Sequence, residues 1–137
     1  MREILPRKLW FGNAGDGRDS KSLFANQIHA VVDLAAEEPP AQLPRELTYC
    51  RFPLHDGIGN SVAILRIAVM TVATFVRNDI AVLVCCSGGM SRSPAIAACA
   101  LSTWDGKNAS EWLTEIRRIK SVDVSPSLWN ELQCAME

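Results

Sequence analysis

The sequence has no long hydrophobic run and no marked excess of either charge. Its 137 residues carry a net charge of −1, and the hydrophobic residues, 48% of the chain, are spread over short segments. These segments are far too short to cross a membrane, and the near-neutral charge gives no general attraction for nucleic acid or for an anionic membrane. We therefore expect no nucleic-acid partner and no membrane partner. Any anion that the protein binds has to be held by a local site.

The sequence also lacks a secretion signal and a disulfide framework. The first six residues, MREILP, contain no apolar segment of the length that directs secretion. The five cysteines are an odd number without regular spacing, and the cysteines and two histidines form no paired metal-ligand motif. These features predict a cytoplasmic protein with free thiols and with no bound metal or cofactor.

Apolar segments of two kinds alternate along the chain. Nearly continuous apolar runs predict buried parallel strands at residues 28–34, 47–52 and 80–85. Residues 4–11, which include Pro6, are interpreted as a short edge strand. Helical periodicity and capping residues predict helices over 20–27, 61–77, 94–104, 109–120 and from 125 onwards. The alternation predicts an α/β fold, a single domain over residues 1–137 with a central, mainly parallel sheet of four to five strands and helices on both faces.

A glycine-rich loop, CCSGGMSRSP at residues 85–94, joins the third of these strands to a helix. A turn of this kind directs successive backbone N–H groups inward and forms a nest for an anion, and the helix N-terminus adds positive potential. Glycines allow the tight curvature, and the Arg92 guanidinium matches two oxygens of a phosphate. The predicted substrate-binding residues are Ser87, Gly88, Gly89, Met90, Ser91 and Arg92.

Cys86 lies at the base of this nest, where the positive field favours a thiolate. A thiolate aimed at a bound phosphate can attack phosphorus and form a cysteinyl-phosphate intermediate. The loop amides and Arg92 would then stabilise the charge on the equatorial oxygens. Ser93, directly after Arg92, can donate to the sulfur and make it a better leaving group in the second step.

The leaving group of such a reaction also needs a proton from a general acid. Asp56 follows a predicted strand directly, and the carboxyl ends of parallel strands meet at one edge of the sheet. We therefore predict that Asp56 faces Cys86 as general acid, and then as base for the water that frees phosphate. Asp33 and Asp16 are the alternative acids.

The motif Cys-x5-Arg-Ser after an apolar strand resembles the signature of the protein tyrosine phosphatase superfamily, and is most similar to its small, atypical dual-specificity branch. Asp56, thirty positions before Cys86 within Asp-Gly-x-Gly-Asn, resembles that branch's acid loop. The segments LWFGN at 9–13 and ASEWL at 109–113 are similar too, so the resemblance covers nearly the whole chain.

This resemblance implies the cysteine-based phosphatase fold and metal-free hydrolysis of phosphate monoesters. The implied substrates are phosphotyrosine, phosphoserine or phosphothreonine in proteins, or small phosphate monoesters. It implies that Cys86 is the nucleophile, that Arg92 binds phosphate, that Asp56 is the acid and base, and that Ser93 assists release. The loop interior contains no lysine, which disfavours highly charged inositol phosphates.

One residue departs from the family pattern, because Cys85 stands where the family usually has a histidine. In the family that histidine helps to orient the loop and to set the pKa of the nucleophilic thiol, so its absence bears on how far the pKa of Cys86 is lowered and not on the phosphate-binding loop itself. The adjacent thiols leave open a protective disulfide, between Cys85 and Cys86 or between Cys86 and Cys50.

Three other functions are compatible with a cysteine in an anion-binding loop. They are a non-catalytic phosphate-binding module on the same fold, a rhodanese-like sulfurtransferase and an arsenate reductase. An intact set of Cys86, Arg92 and Asp56 argues against the first, since a protein that does no chemistry does not need all three. Rhodanese-like loops require neither this arginine nor an acid loop, and the related reductases carry their cysteine loop near the N-terminus.

Overall fold

The computed structural model describes all 137 residues, and the chain forms five strands and five α-helices. No helix is both long enough and apolar enough to cross a bilayer. In chain order the strands are β1 (Arg2–Leu5), β2 (Leu9–Gly12), β3 (Ala30–Ala35), β4 (Thr48–Leu54) and β5 (Val82–Cys85). The helices are α1 (Ser20–Ala25), α2 (Val62–Arg77), α3 (Arg92–Asp105), α4 (Ala109–Ile119) and α5 (Pro126–Ala135), with a 3-10 turn at Asp16–Arg18.

The five strands form one sheet in the order β1-β2-β5-β3-β4. Only β1 is antiparallel to its neighbour, and the other four strands are parallel. Strand β5 is central, and its last residue, Cys85, pairs in register with Gly12 of β2 and Asp33 of β3. The mainly parallel sheet predicted from sequence is confirmed, and it brings the ends of β2, β3 and β5 together at one edge.

The segment predicted as a single edge strand over residues 4–11 is instead a hairpin, so this prediction was wrong. Strand β1 ends at Leu5, and the carbonyl oxygen of Leu5 accepts the N–H of Lys8 at 2.9 Å. Pro6 falls in the turn, where its missing N–H costs no ladder bond, and Arg7 adopts a positive φ of 61°. Strand β2 is consequently internal, between β1 and β5.

Helices cover both faces of the sheet, as predicted, but very unequally. The larger hydrophobic cluster contains 29 buried residues from the sheet and from α2 to α5. The smaller one, on the opposite face, contains eight, among them Leu23 of α1 and Cys85. Ten of the 14 residues of α3 are buried, and its buried apolar residues belong to the larger cluster. The loop before α3 is therefore attached to the best-packed helix of the protein.

Candidate active site

The loop between β5 and α3 leaves its backbone N–H groups without partners in the chain. None of the N–H groups of residues 87–91 donates a backbone hydrogen bond, whereas the carbonyls of Ser87, Met90 and Ser91 each accept one, from Ala14, Asp123 and Ala95. Five successive unpaired donors in a loop that leads into a 14-residue helix fit the anion nest predicted from the sequence.

Gly89 fixes the curvature of this nest. It has a positive φ of 73° and is buried, and a Cβ placed on it would lie 2.8 Å from the carbonyl carbon of Gly12. Gly88 is exposed, and a Cβ placed there would have Met90 Cγ as its nearest atom, at 3.9 Å. Only the second glycine of the pair is therefore required by the fold of the loop.

We expect Gly89→Ala to destabilise the protein by about 2 kcal/mol and to abolish oxyanion binding, because the loop has to move away from Gly12 and reverse an unfavourable φ. Gly88→Ala is the matched control, and we expect it to keep both stability and binding. Thermal unfolding and tungstate titration of the two variants measure the difference. Equal behaviour of the two would contradict this account of the loop.

The two adjacent cysteines point to opposite sides of the sheet. Cys86 belongs to the larger hydrophobic cluster and Cys85 to the smaller one. A Cβ on Gly17 would lie 2.6 Å from Cys85 Sγ, so the compact thiol fills the space at the position where the family has histidine. Burial, assisted by nearby negative charges, raises the pKa of Cys85, which keeps it protonated. All five cysteines are free, so the structure contains neither of the disulfides left open above.

Arg92, the first residue of α3, is held by a carboxylate that the sequence analysis had not identified. Its side chain is 5% exposed, and its Nη1 and Nη2 donate to Glu37 Oε1 and Oε2 at 2.6 and 2.9 Å. Nη1 also donates to the carbonyl of Leu54 at 2.9 Å. The hydrogen bonds from Arg92 lower the pKa of Glu37 below its ordinary value, so the pair persists through the neutral range and is lost only in acid.

The other edge of the guanidinium is available to a ligand. The Nε atom of Arg92 is buried and has no hydrogen-bond partner, and Arg92 lines the cleft above the loop. Burial acts to lower the pKa of Arg92, but the hydrogen bonds and charge of Glu37, with further electrostatic contributions from neighbouring groups, outweigh it and raise the pKa. Arg92 is thus a permanent cation with an unused donor.

The segment after β3 that carries Glu37 is fastened to the sheet. Arg51 Nη2 donates to the carbonyls of Ala35 and Glu38 at 3.2 and 2.8 Å, and Tyr49 accepts the N–H of Ala41 at 3.0 Å. Glu38 in turn accepts the Ser87 hydroxyl at 2.8 Å. Two neighbouring carboxylates therefore contact the loop at its first residue and at its arginine.

The loop that carries Asp56 is organised by a side chain within it and by one from α5. The Asn60 amide accepts the N–H of His55 at 2.7 Å and donates to the carbonyls of His55 and Gly57. The Glu131 carboxylate accepts the N–H groups of residues 59 and 60 at 3.0 and 3.2 Å. Asp56 itself is exposed and lines the cleft, on a loop whose backbone these hydrogen bonds hold in place.

The two alternative acids are engaged in structural contacts elsewhere. Asp33, 4% exposed, accepts the Tyr49 hydroxyl at 2.6 Å, and Asp16 pairs with the terminal amine of Met1 at 3.1 Å. The Ser93 hydroxyl donates to the Gly12 carbonyl at 3.1 Å, and the same carbonyl accepts the N–H of Cys86. Ser93 is thus bound at the base of the loop, and its role in release of the sulfur stays a prediction.

One cleft of about 240 Å³ lies at the loop between β5 and α3. Its lining residues are Asp56, Cys86, Gly88, Met90, Ser91, Arg92 and Asp123. Asp123, between α4 and α5, was not identified from sequence, because no strand or recognisable motif precedes it. Glu37 could have been found by the rule that pointed to Asp56, since it also follows a buried strand at the same edge.

Comparison with solved structures gives matches over almost the full chain. Human DUSP28 has a TM-score of 0.86 at 22% identity, with 98% of this chain and 94% of that one covered. A putative dual-specificity phosphatase from mouse, complexed with zinc tungstate, has a TM-score of 0.85 at 21% identity, covering 98% and 84%. The human tyrosine phosphatase-like serine/threonine/tyrosine-interacting protein has a TM-score of 0.84 at 18% identity, covering 99% and 95%.

These likenesses show the fold of a small dual-specificity phosphatase. No curated protein matches the sequence. One family model does match, that of the DSP-PTPase phosphatase of polymorphic toxin systems, and it spans residues 12–107, from the end of β2 to just beyond α3. The chain therefore belongs to this family of DSP-PTPase phosphatases.

Proposed function

We propose that the protein hydrolyses phosphate monoesters through a cysteinyl-phosphate intermediate, with phosphorylated side chains of proteins as its substrates. The phosphate occupies the nest of residues 87–91 and takes two hydrogen bonds from the free edge of Arg92. Cys86 attacks phosphorus in line with the leaving oxygen, which Asp56 protonates. Asp56 then removes a proton from the water that attacks the intermediate, and phosphate and the Cys86 thiolate are released.

The unpaired Nε of buried Arg92 is the observation that carries this proposal. A buried donor without an acceptor costs free energy, and a phosphate above Cys86 would satisfy it together with five loop amides. The mouse neighbour supports the same chemistry, since its structure contains tungstate, a tetrahedral oxyanion like phosphate. Family membership supports a phosphatase over the alternatives.

The other functions fit this cleft less well. Sulfur transfer has no use for a general acid, and Asp56 faces the cleft on a loop that Asn60 and Glu131 hold in place. A phosphate-binding module does not need a thiol in the floor of its nest. Release of phosphate without added metal, in the presence of a chelator, distinguishes the proposal from thiosulfate:cyanide sulfur transfer and from binding alone.

We expect Asp56→Asn to reduce kcat about 100-fold on an alkyl phosphate, because the departing alkoxide needs a proton. The loss should be much smaller on a nitro-substituted aryl phosphate, whose phenolate leaves readily without one. Steady-state kinetics on the two substrates measure this difference. A uniform loss on both would assign Asp56 to binding, and no loss on either would remove it from the mechanism.

A further inference from the structure

The cleft carries more negative charge than a phosphate site needs. Asp56 and Asp123 both line it, both are exposed, and neither takes part in any of the chain's five ion pairs. Glu37 neutralises Arg92, and Glu38 contacts the start of the loop. Four carboxylates therefore surround a nest that contains a single guanidinium.

No second cation of this chain lines the cleft. Arg18 and Arg51 lie nearby, but both donate to backbone carbonyls of residues 35–39 and so hold the segment that carries the acidic pair. His55 and Lys120 are close in sequence to the two exposed aspartates and are not among the lining residues. Apart from Arg92, the lining consequently has no positive group to receive acidic neighbours of a bound phosphate.

Asp123 is held at the rim by the loop itself. Its N–H donates to the Met90 carbonyl at 2.9 Å, and two residues later the N–H of Ser125 donates to the Ser91 hydroxyl at 2.8 Å. The segment between α4 and α5 is thus hydrogen-bonded to the loop that forms the anion nest. Asp56 reaches the same cleft from the loop between β4 and α2, so charges from two separate elements meet there.

We propose that this site selects phosphorylated protein segments in which lysine or arginine flanks the phosphorylated residue, and that Asp123 is one of the two carboxylates that determine this preference. The inference rests on the proposed function, since it concerns the same cleft. The nest and Arg92 take the phosphate, while cationic neighbours pair with Asp123 and with Asp56, the two carboxylates that line the cleft. Acidic neighbours, or the further phosphates of an inositol polyphosphate, meet like charge at the same positions.

The expected effect is a difference in affinity between basic and acidic peptides. Its size is limited because the carboxylates that line the cleft are exposed. An exposed ion pair changes an equilibrium by about threefold, so two such pairs give about tenfold. Salt should weaken the preference, because exposed charges are screened.

The test compares two phosphotyrosine peptides, one flanked by lysines and one by glutamates, for binding to the Cys86→Ser protein by calorimetry. We expect Kd to be about tenfold lower for the basic peptide, and Asp123→Asn in the same background to reduce the ratio to about threefold. Glu46→Gln is the matched control, since it removes one negative charge just before β4, at the opposite edge of the sheet. It should leave the ratio unchanged.

Equal binding of the two peptides, a preference for the acidic one, or no binding of either overturns the inference. Equal binding of an unphosphorylated basic peptide also overturns it, because the attraction would then not involve the nest. Hydrolysis of an aryl phosphate by the wild-type protein is measured separately. If the wild-type protein does not hydrolyse the aryl phosphate but the preference for the basic peptide holds, the phosphatase proposal is refuted, and the protein is a binder of basic phosphopeptides.

Discussion

Replacing Cys86 by serine is expected to abolish hydrolysis, with a loss of at least about 10⁴-fold in kcat on any phosphate monoester. A serine hydroxyl stays un-ionised near neutral pH even in this nest, so it is a far weaker nucleophile than a cysteine thiolate. The measurement is phosphate release in the presence of a chelator, with the wild-type protein alongside.

The same variant should keep its affinity for oxyanions. The N–H donors of residues 87–91 and the guanidinium of Arg92 are untouched by the substitution, and oxygen is smaller than sulfur, so the loop has room to keep its shape. A Kd for tungstate close to the wild-type value, with no turnover, separates loss of the nucleophile from collapse of the site. Turnover that survives in Cys86→Ser would refute covalent catalysis at this residue.

Cys85→Ser is the matched control for that experiment. It makes the same atomic change one residue earlier, on the opposite face of the sheet, where the thiol is protonated and packed near Gly17. We expect some loss of stability from the buried hydroxyl and retention of turnover in the folded protein.

The parts of the site that could be predicted from sequence are those encoded in one continuous segment. Strand β5, the glycine pair, Cys86 and Arg92 follow each other within a few residues, so their relative positions are set by local geometry. Asp56 required one further rule, that the ends of parallel strands share an edge, and the structure brings it into the same cleft.

The parts that were missed depend on tertiary packing. Glu37 lies between β3 and β4, and its contact with Arg92 exists because Arg51 and Tyr49 fasten that segment to the sheet. Asp123 reaches the cleft only because the α4–α5 segment hydrogen-bonds to Met90 and Ser91. The hairpin at Pro6 was missed for a simpler reason, since a strand edge and a turn both tolerate proline.

Arg92→Lys is expected to lower kcat/KM about 10³-fold, although the charge is retained. A lysine ammonium has no planar pair of donors, so it cannot make a two-bond contact with Glu37 and a two-bond contact with a phosphate at the same time. Tungstate affinity should fall with kcat/KM, because the lost donor contacts the oxyanion itself. Kinetics and titration on the same protein measure both.

If Arg92 has only a structural role, a different result is expected for its partner, Glu37. If Arg92 served only to hold the segment of Glu37 against the loop, then Glu37→Gln, which removes the ion pair from the other side, would cost as much activity as Arg92→Lys. In our account the glutamine variant keeps the guanidinium, its bond to the Leu54 carbonyl and the free Nε, so its loss should be modest, about tenfold or less. Glu37 is also mostly exposed, which limits the cost of removing its charge. The ratio of the two losses therefore decides whether the arginine binds the phosphate or merely supports the loop that does.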